Sequence, residues 1–361
     1  MNKPLKDLII VELATVLAGP AVGMFFAELG ARVIKIENPT TGGDVTRQWK
    51  HPSENTETNK SAYYHSINWG KEVHFLNAKA PDDYVQICHH IAQADIVISN
   101  FRSLSAKKLK LDYASLKAKF PDLIYGSITA YGSDNNQPGF DALIQAETGW
   151  MHLNGSADGP ATKMPVALID VLAAHQLKEG LLIALIHKLK TGKGNHVTAS
   201  LFDAAISALT NQASNYLNLG VNPMRKGSLH PNIAPYGDIL KMKDDVSILL
   251  AIGNNKQFAD LCHLLDLTDL TKDPDFASNT QRVKNRVQLL SRLQAKSSEW
   301  PSEKFLEACN VQSIPVGRIR DLKTLFADSA SQHMLLSQEE AGGNLSHRVR
   351  TAAFQFITDQ T

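Results

Sequence analysis

The sequence predicts an α/β fold with a large domain built on a mostly parallel sheet and a smaller α+β domain. Over the first 130 residues, short apolar runs alternate with segments of helical periodicity, which is typical of parallel strands connected by helices. Residues 215–237 are then dense in Gly and Pro, which indicates an irregular connection between two folding units. We therefore expect a Rossmann-like large domain over residues 1–224, with residues 331–361 packing back on it, and a small domain over residues 225–330.

The first forty residues contain the clearest strand–helix–strand unit. Residues 8–13 are a short apolar run of strand length, and Arg32–Glu37 is predicted as a second strand. Residues 22–29 between them have helical periodicity, with Pro20 suited to the first turn and Gly30 to the C-terminal cap. Such a unit brings the free N–H groups of a helix to the carboxyl end of a strand, where they favour a phosphate.

Two glycines of this unit, Gly19 and Gly23, do not complete the GxGxxG fingerprint of dinucleotide-binding proteins. A plain packing role for them is equally compatible with the sequence. The incomplete fingerprint disfavours a dinucleotide-dependent dehydrogenase.

The remaining elements continue the alternation. Helices are expected over residues 82–94, 171–190, 257–265 and 281–293, and strands over residues 95–102, 123–128, 197–201 and 248–253.

Composition excludes several classes of function. The 37 basic and 36 acidic side chains nearly cancel, so no strong net field favours nucleic acid or an anionic membrane. Cys88, Cys262 and Cys309 are far apart and form no CxxC pair, which argues against a zinc site or a disulfide framework. With no signal-like or membrane-spanning apolar segment, we expect a cytoplasmic protein that binds neither membrane nor metal.

The most informative single residue is Asp170. The apolar run before it, residues 164–169, has the pattern of a strand, and the residues after it have that of a helix. An Asp at this junction is either the N-cap of the helix or a functional carboxylate at the sheet edge where α/β proteins bind ligands. A carboxylate can also carry a covalent acyl group as a nucleophile.

A series of short motifs runs through nearly the whole chain in a fixed order. They are residues 11–20, 30–37, 43–44, 68–71, 94–102, 139–146, Asp170, 191–194, 230–237, 253–258 and 314–317. In these motifs the chain resembles the class III CoA-transferase family, of the CaiB/BaiF type, which includes formyl-CoA transferase and is related to the α-methylacyl-CoA racemases.

The resemblance implies a mechanism centred on Asp170. In that family an aspartate takes the acyl group of a CoA thioester, the released thiolate then forms an aspartyl-CoA thioester, and an acceptor carboxylate consumes it. Asp141 matches a second carboxylate near the nucleophile, although it could equally be a turn residue after Gly139. The resemblance also implies that CoA and acyl-CoA are substrates, that no cofactor is tightly bound, and that the chain forms an interlocked homodimer.

The resemblance implies a CoA-binding set that includes Gly139 and Phe140 at the acyl end of the site. Its other members are Val16, Leu17, Ala18, Asn38, Leu76, Lys79, Asn100, Phe101, Arg102 and Lys108. Cations among them suit the phosphates of CoA. Without the resemblance, solvated surface charge is the better explanation for Lys79 and for Lys108.

Departures from the family pattern leave two alternatives open. Phe140 stands where the racemases have a His that moves a proton, and Phe cannot do so. This favours transfer over racemisation, although His152, His175 or His230 could substitute in space. An acyl-CoA racemase or epimerase is therefore the second hypothesis, and a catalytically silent CoA-binding protein is the third.

Overall fold

The computed structural model describes residues 3–133, 135–340, 343 and 345–355. They form two compact units. The first contains the described residues up to Met151, those of Lys163–Asn222, and those from Gln332 onward. The second contains His152–Thr162 and Pro223–Ser331.

The first unit is built on a six-stranded parallel sheet, which confirms the predicted α/β class. Its strands are β1 (Ile9–Glu12), β2 (Arg32–Glu37), β3 (Glu72–Phe75), β4 (Ile96–Ser99), β5 (Ile124–Thr129) and β6 (His196–Ser200). They lie in the order β3-β2-β1-β4-β5-β6, and every pair is parallel. The strand order reverses direction between β1 and β4, and open sheets of this kind bind ligands at the carboxyl ends of the strands at such a reversal.

Helices cover both faces of this sheet. The helices up to Leu219 are α1 (Ala18–Glu28), α2 (Ala62–Ile67), α3 (Pro81–Ala92), α4 (Ser103–Lys108), α5 (Tyr113–Lys117), α6 (Asp141–Glu147), α7 (Trp150–Leu153), α8 (Leu168–Thr191), α9 (Leu201–Ser207) and α10 (Thr210–Leu219). In β1, Ile10 packs into a core with α1 and α8, whereas Val11 packs into a second core with α3. Because both faces are buried there, the central strands β1 and β4 are mostly apolar, as in Ile96–Ser99.

The strand predicted over residues 164–169 is wrong. The chain there is irregular, Val166 is exposed, and the first turn of α8 already begins at Leu168. Pro165 lacks an N–H and is poorly suited to a central strand, which the apolar composition of the run concealed. Asp170 therefore lies in the first turn of a helix and does not end a strand.

Helix α1 begins at Ala18, four residues before the predicted start at residue 22. Its first turns pack closely against β1 and the residue Ala14 that follows it. A Cβ on Gly19 would lie 2.3 Å from the Cβ of Ala14, and one on Gly23 would lie 1.9 Å from Oε2 of Glu12, so neither position has room for a side chain. Both glycines thus allow a close approach of α1 to β1, which is the packing role that the sequence left open.

The C-terminal part of the first unit is a hairpin of β10 (Leu335–Glu339) and β11 (Leu345–Val349). Arg348 on β11 pairs with Glu28 of α1 at 2.5 Å, and both side chains are almost fully buried. Glu28 also accepts hydrogen bonds from the backbone N–H groups of Thr351 and Ala352. One buried carboxylate thus fastens the end of the described chain to α1.

The second unit has a three-stranded antiparallel sheet of β7 (Tyr236–Lys241), β8 (Ser247–Ala251) and β9 (Val316–Arg318). Its helices are α11 (Asn255–Leu264), α12 (Asn279–Lys284), α13 (Arg286–Ser297), α14 (Ser302–Val311) and α15 (Leu322–Ala327). The single helix predicted over residues 281–293 is therefore two helices that meet at Asn285. No helix in the described parts of the chain has the length and apolar character needed to span a bilayer.

Candidate active site

A cavity of about 370 Å³ opens at the carboxyl ends of β1, β4 and β5, beside the first turn of α8. Nine of the residues expected from the sequence line it: Val16, Leu17, Ala18, Asn100, Phe101, Arg102, Gly139, Phe140 and Asp170. The cavity therefore lies at the sheet edge where the strand order reverses, and the nucleophile candidate is part of its wall.

A second cavity of about 180 Å³ adjoins the first. Asn38, Leu76 and Lys79 line it, and Thr15 and Phe101 line both cavities. Asp170 thus lines the first cavity and Lys79 the second, and the two cavities adjoin at Thr15 and Phe101. Lys108, which was also expected to bind CoA, lines neither cavity.

Asp170 is the third residue of α8 and is 8% exposed. The N-cap of the helix is Ala167, so the N-cap role considered for Asp170 is wrong. No described residue donates a hydrogen bond to its carboxylate, which leaves both oxygens available to a ligand. Burial, with a further contribution from the charge of Asp141, raises the pKa of Asp170 to about 7.

Asp141 is the first residue of α6 and holds the turn that carries Asp170. Its Oδ1 accepts hydrogen bonds from the backbone N–H groups of Ile169 at 2.7 Å and Asp170 at 3.4 Å. Its Oδ2 accepts one from the side-chain amide of Gln145 at 2.6 Å. Because Ala167 has no side-chain acceptor, Asp141 satisfies the free N–H groups of α8 from a neighbouring helix. Both of its oxygens are therefore occupied by protein groups.

The loop between β1 and α1 is held by side chains at several backbone atoms. Asn100 accepts from the N–H of Thr15 at 3.0 Å and donates to its C=O at 2.7 Å. Lys35 donates to the C=O of Ala14 at 2.8 Å, and Asp44 accepts from the N–H of Val16 at 3.3 Å. Asn100, expected to contact CoA, thus has both polar atoms of its side chain engaged with this loop.

Val16 has a φ of 72°, in the left-handed region that β-branched residues avoid. Such a conformation costs about 1–2 kcal/mol relative to an ordinary one, so it persists only where neighbouring groups enforce it. Nothing in the local sequence predicted it, because the contacts that impose it come from residues 28 and more positions away.

Behind the loop lies a cluster of buried charges. Glu12 pairs with Lys35 at 2.9 Å and with Lys71 at 2.8 Å, and Lys35 also pairs with Asp44 at 3.0 Å. Burial opposes the charge of Lys35, but Glu12 and Asp44 outweigh it and raise its pKa. Burial likewise opposes the charge of Asp44, but Lys35 and the N–H of Thr46 hold its pKa below the ordinary value. Both groups are thus kept charged in the interior.

Tyr63 on α2 is a residue near the nucleophile that the sequence reasoning missed. Burial and then the negative charges of Asp170 and Asp141 raise its pKa to about 12, so it is a neutral hydroxyl near both carboxylates. Its ring contacts Trp49 edge-on at 5.1 Å between centroids. Only the position of Trp49 shortly after Gly43-Asp44 in the sequence could have drawn attention to this pair.

The site thus presents a buried carboxylate to which no described residue donates a hydrogen bond, beside two adjoining cavities with Arg102 in the wall of the first and Lys79 in that of the second. This arrangement suits nucleophilic attack on an acyl carbon in a place with limited access for water. Within the part of the chain that the structure describes, no group of three His, Cys, Asp or Glu residues could hold a metal ion.

Comparison with known proteins gives the class. The model of CoA-transferase family III matches residues 5–360. Succinate–glutarate CoA-transferase of Agrobacterium fabrum is 36% identical over 356 residues, covering 96% of this chain and 88% of that protein. Human succinyl-CoA:glutarate CoA-transferase is 34% identical over 340 residues, covering 93% of this chain and 76% of that protein.

The fold agrees. A crystal structure of a CaiB/BaiF family protein from Brucella suis superposes with a TM-score of 0.85 at 37% identity, covering 99% of this chain and 93% of that one. The chain belongs to CoA-transferase family III and is an enzyme of that family. The resemblance found in the sequence is thereby confirmed, whereas the roles of the individual site residues remain predictions.

Proposed function

We propose that this protein transfers CoA from an acyl-CoA thioester to a carboxylic acid through covalent adducts on Asp170. The observation that carries the proposal is the position of its carboxylate, buried, without a protein partner, and in the wall of the cavity. Two relatives are named for succinate or succinyl-CoA and glutarate, so short dicarboxylic acids are the first substrates to test.

The steps balance without a cofactor. A carboxylate oxygen of Asp170 attacks the thioester carbonyl, the C–S bond breaks, and a mixed anhydride and the CoA thiolate result. The thiolate attacks the aspartyl carbonyl, which releases the donor acid and leaves an aspartyl-CoA thioester. The acceptor carboxylate attacks the carbonyl of that thioester, which releases the CoA thiolate and forms a second mixed anhydride. The thiolate then attacks the acceptor carbonyl of this anhydride, which gives the new acyl-CoA and frees Asp170. CoA is thus a substrate and needs no tight resident site.

The remaining predicted residues divide between positioning and binding. Asp141 orients the turn of α8 through the N–H groups of Ile169 and Asp170. Arg102 in the first cavity and Lys79 in the second offer positive charge to the phosphates of CoA. Because Lys108 lines neither cavity, its proposed role is weaker.

Racemisation is the less favoured alternative. It needs a second acid–base group that works with the aspartate to move a proton at the α-carbon, and Phe140 stands at the position of that group. Among the described residues that line the two cavities there is no His, and His175 of the first unit is in neither wall.

We further propose a homodimer in a reducing compartment such as the cytoplasm. The three cysteines are free thiols. Helices α8 and α10 expose large apolar side chains, among them Ile183, Leu189 and Leu217, which a second copy of the chain could cover. Light scattering of the purified protein tests this assembly, and a monomer at micromolar concentration would contradict it.

The experiment for the transfer reaction is a panel of acyl-CoA donors, including succinyl-CoA, mixed with free acids such as glutarate. Mass spectrometry follows the new thioesters. We expect at least one acid to receive CoA with wild-type protein and none with Asp170→Asn. If no acid in the panel becomes a thioester, or if Asp170→Asn transfers CoA at the wild-type rate, the proposal fails.

A further inference from the structure

We propose that Asp44 is a positioning residue for CoA binding, because it holds Val16 in the left-handed conformation that shapes the wall of the cavity. This inference rests on the proposed function only in taking CoA as the ligand. Asp44 lines neither cavity, and no role was expected for it from the sequence.

The contact itself is direct. Oδ1 of Asp44 accepts a hydrogen bond from the N–H of Val16 at 3.3 Å, and Val16 to Ala18 line the same cavity as Asp170. The preceding residue, Thr15, has its N–H and C=O bound by Asn100. Side chains therefore hold the backbone of the loop both at Thr15 and at Val16.

Asp44 is itself rigid. It is 1% exposed, its Oδ1 also accepts from the N–H and hydroxyl of Thr46 at 3.1 and 2.8 Å, and its Oδ2 pairs with Lys35 at 3.0 Å. Lys35 in turn binds the C=O of Ala14. One carboxylate thus links the loop before α1 to the segment that starts at Thr46 and leads to Trp49.

The choice of residue at position 16 makes this link necessary. A glycine would adopt a φ of 72° without cost, whereas a valine prefers negative φ and leaves the left-handed region when the constraint is removed. Relaxation at Val16 would redirect the following residues, Leu17 and Ala18, and so change the cavity wall. The conformation is therefore maintained by Asp44 and is not intrinsic to the local sequence.

The test is a double-mutant cycle of Asp44→Asn and Val16→Gly in the full-length protein. The new side-chain amide has one oxygen, which cannot accept from Lys35 and from the N–H of Val16 together. We expect it to accept from Lys35, because a hydrogen bond from a charged donor is the stronger one. Glu28→Gln is the matched control, because Glu28 is also a buried carboxylate that pairs with a cation and accepts backbone N–H groups, but it does not touch the loop. Calorimetry measures the affinity for CoA alone, and steady-state kinetics measure KM and kcat with succinyl-CoA and glutarate.

We expect Asp44→Asn to weaken CoA binding and raise KM about tenfold, with kcat changed less, and Glu28→Gln to leave affinity within about twofold. In the Val16→Gly background, Asp44→Asn should weaken CoA binding by less than about threefold, because glycine keeps the loop conformation without the constraint. A general loss of stability would not be rescued in this way.

The same factor for Asp44→Asn in both backgrounds, or unchanged affinity in the first, would overturn the inference. Hydrogen exchange of wild-type protein without CoA gives a second test that needs no variant. The Val16 amide should be protected, and free exchange at that amide would overturn the inference as well. If wild-type protein binds CoA but transfers it to no acid, the proposed function fails. The double-mutant cycle would still test the role of Asp44, because it measures only the affinity for CoA.

Discussion

Asp141 accepts a hydrogen bond from the backbone N–H of Asp170, at 3.4 Å, and a shorter one of 2.7 Å from the N–H of Ile169. The same carboxylate that fixes the backbone of the nucleophile also raises its pKa by its charge. One neighbour on another helix therefore helps to fix the position of Asp170 and adds to the effect of burial on its pKa. A substitution at Asp141 should change the two properties together.

Asp141→Asn should lower kcat about tenfold, because the amide cannot accept from Gln145 as the carboxylate does. The acid limb of the kcat/KM profile should move to lower pH, since the negative charge that raises the pKa of Asp170 is gone. The measurement is the pH profile of kcat/KM for wild type, Asp141→Asn and a control variant. Glu147→Gln on the same helix is the control and should leave the profile unchanged. An acid limb that moves to higher pH would contradict the assignment.

Asp170→Asn should increase the free energy of unfolding more at about pH 8 than at about pH 5. The two increases should differ by about 1–3 kcal/mol. Burial and Asp141 raise the pKa of Asp170 to about 7, above its value in the unfolded chain. The folded protein therefore binds the extra proton between the two pKa values, so stability falls as pH rises through this range. Urea unfolding at the two pH values measures the difference. A stabilisation that is equal at both, or larger at the lower pH, contradicts the raised pKa.

Arg348→Ala should destabilise the first unit by about 3–5 kcal/mol, because it leaves Glu28 buried without its cation. Urea unfolding followed by circular dichroism measures this loss. Arg32→Ala is the control, since the pair of Arg32 with Glu72 is exposed to solvent and its loss should be much less destabilising. Equal effects of the two substitutions would mean that the hairpin is not fastened to α1 through this pair.

Incubation of a 2-methylacyl-CoA in D₂O without any acceptor acid should give no deuterium at the α-carbon. The reason is that racemisation pairs the aspartate with a second acid–base group, Phe140 occupies the position of that group, and no His lines the cavity among the described residues. NMR of the recovered thioester measures the exchange. Exchange at a rate comparable to CoA transfer would favour the racemase alternative.

The sequence predicted the parallel sheet because short apolar runs alternate with helical segments, and Ile10 and Val11 on β1 do pack against helices on opposite faces. It predicted Asp170 as part of the site, but in the wrong local structure, since the apolar run before it is an irregular segment after Pro165. Family motifs supplied nine residues of the cavity wall. The domain boundaries near residues 225 and 330 remain predictions.

The parts that could not be predicted depend on distant contacts. Asp44 and Val16 are 28 residues apart, and Asp141 lies 29 residues from Asp170, so neither relationship has a local pattern. Tyr63 reaches the neighbourhood of Asp170 only through the packing of α2. A backbone conformation imposed by long-range hydrogen bonds, such as that of Val16, is invisible to propensity.

The most direct test of the account is chemical trapping at Asp170. Wild-type protein is mixed with an acyl-CoA that it uses, quenched with hydroxylamine, digested, and analysed by mass spectrometry for a hydroxamate on the peptide that contains residue 170. The account predicts that hydroxamate only when acyl-CoA is present, and none in Asp170→Asn. Transfer of CoA that proceeds while Asp170 stays unmodified, or a hydroxamate on a different side chain, would contradict the claim that this carboxylate carries the adducts.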